Sequence, residues 1–206
     1  MDDTTRRARQ DQIEAAAYDV LEQKGYDGAS MLAVAKQARA SNETLYRWYG
    51  DKRGLFAALV VRNARDVTEL LRGVTDGDDP MAVLRDLGPL LVRLVTSDRA
   101  VALNRAAAAD GSGALGAAIA EHGRETVQPL LVSCLLRARD RGLLRFDTPD
   151  APTALYLDCL IGDLQIRRVI GRAAAPDAEA CAARSERALA VLMALYGPGD
   201  PGAGRG

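Results

Sequence analysis

The densest run of chemically capable side chains is Ser41-Asn42-Glu43-Thr44-Leu45-Tyr46-Arg47-Trp48-Tyr49, followed at once by Lys52 and Arg53. Hydroxyl, amide, carboxylate, phenol and guanidinium groups crowd together here, without the nucleophile–base pair, metal cluster or phosphate loop that turnover needs. Placed on a helix at about 100° per residue, Leu45 and Tyr49 face inward with Trp48 beside them. Glu43, Thr44, Tyr46 and Arg47 then project away from that face. Such a strip suits the major groove of DNA. Arg47 can fork onto guanine, Thr44 can meet a thymine methyl or a phosphate, and Tyr46 can reach a phosphate. Ser41 and the helix start offer amide groups and a positive dipole end to phosphate. Lys52 and Arg53 would grip the backbone from the next helix. The expected DNA-facing set is Ser30, Ser41, Asn42, Glu43, Thr44, Tyr46, Arg47, Trp48 and Lys52.

The elements that must hold this strip are helices. Ile13, Ala16, Ala17, Val20 and Leu21 recur at three- and four-residue spacing between Arg6 and Lys24, and Gly25 stops that helix. Ser30 caps a short helix over Met31 to Ala38, and Ser41 caps another over Asn42 to Trp48. Small Ala35 and Ala38 at their crossing fit a helix-turn-helix. A longer helix runs from Asp51 to about Leu71. After the polar break Gly73 to Asp79, Asp79-Pro80 supplies a cap followed by a first-turn proline. Further helices are expected at 80–96, 98–110, 113–141, 150–171 and 177–196, with Pro89 and Pro129 inside them. The fold class is therefore all-α, with about nine helices. An N-terminal three-helix helix-turn-helix DNA-binding domain spans 1–50, a connecting helix 51–72, a C-terminal helical ligand-binding and dimerisation domain 73–196, and a flexible tail 197–206.

Composition narrows the function classes. The 27 Lys plus Arg and 28 Asp plus Glu of 206 residues nearly cancel, which excludes a promiscuous polyanion binder. Yet five basic and two acidic residues lie between Val34 and Leu55, and six of the nine aromatics fall at or before Phe56. The basic footprint is compact. Cys134, Cys159 and Cys181 are widely spaced and form no CxxC pair, as expected of thiols in a reducing cytoplasm. No zinc site, other metal or cofactor is expected. The longest uncharged stretch, Ala188 to Gly199, is too short to span a bilayer, and Met1-Asp2-Asp3 does not open a signal peptide. A soluble cytoplasmic protein follows as the expectation. The Arg6-Arg7-Arg9 cluster reads either as an arm that touches phosphate or as a solvated terminus.

The residues Ala29-Ser30, Val34-Ala35, Ala40-Ser41, Thr44-Leu45-Tyr46, Trp48-Tyr49, Asp51-Lys52 and Leu55-Phe56 resemble the N-terminal domain of TetR-family transcriptional regulators over roughly residues 8–60. Trp48 to Phe56, and later Ala118 to Arg124, are similar to the AefR-like subgroup. Two positions depart from the family pattern: Arg39 stands in the turn where glycine is usual, and Glu43 where a small residue is common. The resemblance implies a dimeric repressor on a palindromic double-stranded operator, released by a small-molecule effector in the C-terminal helices. An activator or constitutive DNA binder of the same fold is the alternative; a small all-α enzyme lacks catalytic groups.

Candidate effector contacts are Asn104, His122, Gln128 and Ser133, polar groups on otherwise apolar helices, which need either a tertiary partner or a ligand. Few aromatics lie beyond residue 56, so the effector is expected to be apolar and its pocket aliphatic. The expected homodimer interface comprises Leu155, Cys159, Leu164, Ile166, Arg167 and Ile170 on one helix and Ala188, Val191, Leu192 and Leu195 on the next, two apolar stripes too broad for one chain to cover.

Overall fold

The computed structural model describes residues 3–75 and 77–198, and every regular element among them is helical. Asp76 and most of the tail expected at 197–206 lie outside the described residues. The helices are α1 (Asp3–Gly28), α2 (Met31–Gln37), α3 (Asn42–Tyr49), α4 (Lys52–Asn63), α5 (Arg65–Arg72), α6 (Pro80–Thr96), α7 (Asp98–Ala109), α8 (Ala114–Ile119), α9 (Glu125–Asp140), α10 (Asp150–Leu160), α11 (Leu164–Val169) and α12 (Ala178–Tyr196). A π turn, Ala120–Arg124, joins α8 to α9. Three of the nine expected rods are thus interrupted: 51–71 at Ala64, 113–141 by the π turn, and 150–171 around Gly162, whose φ is +51°. Within α1, Gly25 takes φ +66°, so the helix ends where the glycine was expected to end it and resumes for one turn.

Packing divides the chain into two units that are not contiguous in sequence. The first holds residues 1–64 and 98–125, the second 65–97 and 126–206. In the first, Ile13, Ala17, Val34, Leu45, Leu55 and Phe56 form a fully buried core, to which Leu103 and Ala106 of α7 and Leu115 of α8 contribute. Tyr26 and Phe56 meet edge to face at 5.2 Å. In the second unit, α12 packs on α6 and α10. The buried Tyr156 hydroxyl donates to the Leu84 carbonyl at 2.6 Å, and burial raises its pKa. The Ser185 hydroxyl donates to the Arg85 carbonyl at 3.0 Å. Arg184 donates to the carbonyls of Leu160 and Ile161 at the end of α10. The polar break at 73–79 is held by Arg137, which donates to the Val74 and Thr75 carbonyls at 3.1 and 3.2 Å. Asp79 caps α6 as its position before Pro80 implied, accepting from the Met81 amide at 2.9 Å.

The helix-turn-helix turn takes an uncommon route. Arg39 adopts φ +50°, the only non-glycine with positive φ among the described residues. A left-handed L-residue costs about 1–2 kcal/mol. The turn is kept by Arg9 of α1, whose Nη2 donates to the Arg39 carbonyl at 2.7 Å and Nη1 to that of Ala38 at 3.4 Å. The N-terminal arginine cluster is therefore part of an ordered helix, not a loose arm. Arg39→Gly relieves the backbone strain but adds roughly 0.5–1 kcal/mol of unfolded-state entropy. The expected net result is stabilisation of roughly 0.5–1 kcal/mol, read as a higher denaturant midpoint; a lower midpoint would show that the Arg39 side chain contributes more than its strain removes.

Candidate nucleic-acid interface

The interface begins with two serine caps. Ser30 accepts from the Ala33 amide at 3.1 Å and starts α2; Ser41 accepts from the Thr44 amide at 3.1 Å and starts α3. The Ser41 and Thr44 hydroxyls also meet at 2.7 Å, which fixes the first turn of α3. Leu45 is completely buried, and this single anchor sets the rotation of the helix. Asn42, Glu43, Tyr46 and Arg47 are consequently exposed, with Tyr46 50% open, while Thr44 is half-buried. The α3 amide groups beyond the cap, the phenol and the guanidinium form one polar outer strip, as the helical wheel required.

Trp48 and Tyr49 close the helix from the inner side. Trp48 is half-buried against the core, and the Arg6 guanidinium lies 5.9 Å from its ring centroid. The Tyr49 hydroxyl is buried, and its pKa is pushed up to about 12, first by burial and then by the Glu14 carboxylate. Gly50, at φ +79°, turns the chain, and Asp51 caps α4 by accepting from the Gly54 amide at 2.7 Å. Lys52, at the first position of α4, is half-buried. Its Nζ donates to the Tyr26 carbonyl at 2.7 Å and lies 4.0 Å from the Tyr26 ring centroid. Nearby Asp110 accepts from the amides of Leu115 and Ser112, which hold its carboxyl below the usual range, and Lys52 adds to that effect.

The four candidate effector contacts do not gather in one unit. Asn104 and His122 fall in the first and Gln128 and Ser133 in the second. Asn104 donates to the Ala100 carbonyl of its own helix at 2.8 Å. His122 lies in the π turn, with Nε2 3.9 Å from Glu121, which in turn approaches Arg53 at 3.6 Å. Gln128 is half-buried and Ser133 exposed on α9.

Of the expected interface residues, Ile166, Ile170 and Leu195 are 56%, 61% and 65% exposed. Arg167 is exposed too, and Leu155, Cys159, Leu164 and Val191 are half-buried. Ala188 and Leu192 need correction. Both are fully covered within the single chain, because α12 turns its Cys181, Ser185, Ala188, Leu189 and Leu192 face inward. Its outward apolar groups are Met193 and Leu195, with Ala190 and Ala194 between them.

Sequence reasoning placed Arg9 only in an arm or a solvated terminus, and missed Gly54 altogether. Arg9 supports the turn from a remote helix. Gly54 packs its Cα against the Tyr49 carbonyl, an approach visible only in three dimensions.

Among the described residues no helix is long and apolar enough to cross a membrane. Residues 82–198 match the family described as AefR-like transcriptional repressor, C-terminal domain, and residues 13–59 match bacterial regulatory proteins of the tetR family. The uncharacterized HTH-type transcriptional regulator YdeS of Bacillus subtilis strain 168 is 33% identical over 54 residues, which span 26% of this chain and 27% of that protein. A TetR-family regulator structure from Mesorhizobium loti shares the fold, with a TM-score of 0.74 and 24% identity, over 96% of this chain and 100% of that one. A TetR regulator from Agrobacterium tumefaciens gives a TM-score of 0.69 at 26% identity, over 93% and 95% of the two chains. The flavonoid-responsive regulator FrrA gives 0.68 at 25% identity, over 94% and 99%. The capped α2–α3 pair with its exposed polar strip, and a C-terminal helical domain matched over more than half the chain, make this protein a member of the TetR family of transcriptional regulators, with an N-terminal helix-turn-helix for DNA and an AefR-like C-terminal domain.

Proposed function

We propose that the protein is a cytoplasmic homodimeric repressor that reads a palindromic operator and is released by an apolar small molecule. The observation that carries the reading is the outward strip of α3, where Thr44, Tyr46 and Arg47 stand over a buried Leu45 on a helix capped by Ser41. Arg47 reads a base, Ser30, Ser41, Asn42 and Tyr46 meet phosphate or sugar, and Lys52 adds charge at the edge. Glu43 accepts from cytosine or orients Arg47. In functional terms residues 1–50 read DNA, 51–72 connect, and 73–196 bind effector and pair with a second copy.

Exposed Ile166 and Ile170 on α11, and Met193 and Leu195 with half-buried Val191 on α12, support the pairing as large apolar groups that a second copy would cover. Two copies then present two recognition helices to successive turns of the duplex. Asn104 and His122 in the first unit, and Gln128 and Ser133 in the second, are each taken separately as polar groups an effector could use. Because FrrA is flavonoid-responsive, a flavonoid is the first effector to try. Release follows if the effector binds better to a conformer whose helices no longer match the operator spacing.

Arg47→Ala and Lys52→Ala separate the roles, measured on the duplex upstream of the protein's own gene and on scrambled duplexes. Arg47→Ala is expected to cost about 1–3 kcal/mol on the specific site and flatten base preference. Lys52→Ala is expected to weaken every duplex alike. Equal losses on all duplexes for both variants would refute base reading by Arg47. Salt-insensitive binding, or none, would refute the repressor.

A further inference from the structure

The five cations between Val34 and Leu55 are not equivalent in the fold. Lys52 Nζ donates to the Tyr26 carbonyl at 2.7 Å, and Arg53 lies 3.6 Å from Glu121. The arginines that approach from α1 are engaged as well, Arg9 on the carbonyls of Ala38 and Arg39 and Arg6 over the Trp48 ring. Lys36, Arg39 and Arg47 are exposed, and their side chains have no hydrogen bond or ion pair among the described residues. The free positive charge of the helix-turn-helix therefore sits on the end of α2, on the turn and on α3.

Arg39 differs from the other two in its backbone, at φ +50°. Glycine enters that region freely, whereas an L-residue does so at a cost. The bonds that hold the turn do not call for an arginine. Arg9 donates to the Ala38 and Arg39 carbonyls, the Arg39 amide donates to the Lys36 carbonyl at 3.2 Å, and the Ala40 amide to the Ala35 carbonyl at 2.9 Å. On the side of the turn every one of these groups is backbone, so a glycine would keep them all. The Arg39 side chain thus strains the turn and adds no bond to the fold. Strain of this kind collects at functional sites. The guanidinium is exposed two residues ahead of Ser41, whose side chain starts α3. A planar fork of donors suits phosphate oxygens, and phosphate contacts fix where a recognition helix rests without reading sequence.

We propose that Arg39 is a phosphate anchor of the DNA interface: the left-handed turn presents its free guanidinium to the DNA backbone just ahead of α3, beside Lys36, and Arg9 keeps the turn in that shape. Arg39 touches DNA but reads no base, and Arg9 is a positioning residue that acts through the turn. The proposal rests on the reading of α3 as the recognition helix.

The test uses the full-length protein, the duplex it enriches from a random library and a scrambled duplex, each titrated at several salt concentrations. Arg39→Gly is expected to raise the denaturant midpoint and yet lower affinity for both duplexes alike, by about threefold or more, with the salt slope shallower by about 1. Arg39→Ala, which keeps a Cβ in the strained turn, is expected to show the same binding loss without the gain in stability. Arg39→Lys keeps the charge and is expected to retain the slope. Arg145→Ala, which removes one exposed cation of the second unit, is the control for net charge and is expected to change neither affinity nor slope. Unaltered affinity and slope in Arg39→Gly and Arg39→Ala overturn the anchor. So does a loss confined to the enriched duplex with the slope unchanged, which would mark a displaced α3, and so does an equal change in Arg145→Ala. Failure of the unaltered protein to enrich any duplex overturns the recognition-helix reading, and the anchor with it; normal enrichment with indifferent Arg39 variants overturns the anchor alone.

Discussion

Gly54→Ala is expected to abolish specific DNA binding and to destabilise the first unit together. A Cβ at this position would lie 2.0 Å from the Tyr49 carbonyl oxygen and 3.2 Å from its carbon. Both atoms are backbone, so no side-chain rotation relieves the clash. The same carbonyl accepts from the Asp51 amide at 3.0 Å, and Asp51 caps the Gly54 amide. Moving Tyr49 therefore opens the turn between α3 and α4 and breaks the cap. Overpacking costs about 1–3 kcal/mol and the lost cap about 1 kcal/mol. For a chain of this size that lowers the melting temperature by roughly 5–15 °C. The larger effect is on function, because the end of α3 is displaced while its outward side chains remain intact. Affinity for the enriched duplex is expected to fall more than tenfold. Gly116→Ala in α8 is the control: its Cβ meets nothing within 4 Å, and alanine is the better helix former. Gly54→Ala with the binding and melting behaviour of Gly116→Ala would refute the close-approach argument.

Gly54 also shows where sequence reading stops. Local signals found the rods: the apolar period of α1, the serine caps of α2 and α3, and Asp79-Pro80 before α6 all sit where the residue types place them. The inward Leu45 and outward Tyr46 follow from the helical angle alone. Breaks inside rods were harder. Gly162 and Gly123 mark two of them, yet a glycine within an apolar period is also compatible with an unbroken helix, and Ala64 offers no signal at all. What a helix packs against is a long-range property. The α12 stripe reveals that Ala188 and Leu192 are buried, but not that this chain rather than a second copy covers them. Arg9 is the sharpest case. The missing glycine at residue 39 was legible as a departure, but its support comes from a side chain thirty residues earlier that joins it only in the fold.

The same close-approach logic applies in the second unit, where the contact is between side chain and backbone and so admits rescue. Gly88 of α6 is buried, and a Cβ there would lie 2.1 Å from Ser185 Oγ, 2.6 Å from its Cβ and 3.2 Å from its Cα. Ser185 cannot simply rotate away without giving up its bond to the Arg85 carbonyl. One turn earlier on α6, the Leu84 carbonyl accepts from buried Tyr156 of α10, so α6 is fastened on both sides. Gly88→Ala is therefore expected to push α12 from α6 and cost about 3 kcal/mol or more, the sum of overpacking and a lost buried hydrogen bond. Because α12 also carries the exposed Met193 and Leu195, the displacement is expected to weaken the proposed pairing with a second copy, read as a shift toward monomer in sedimentation. Ser185→Gly in the same chain removes Oγ and Cβ and leaves only the 3.2 Å approach to Cα. The double variant should then recover much of the loss, with a favourable coupling of about 1–3 kcal/mol between the two sites. A single variant that melts like the unaltered protein, or a double variant whose loss is the plain sum of its parts, would show that α6 and α12 have room to yield and that the glycine is not what lets them meet.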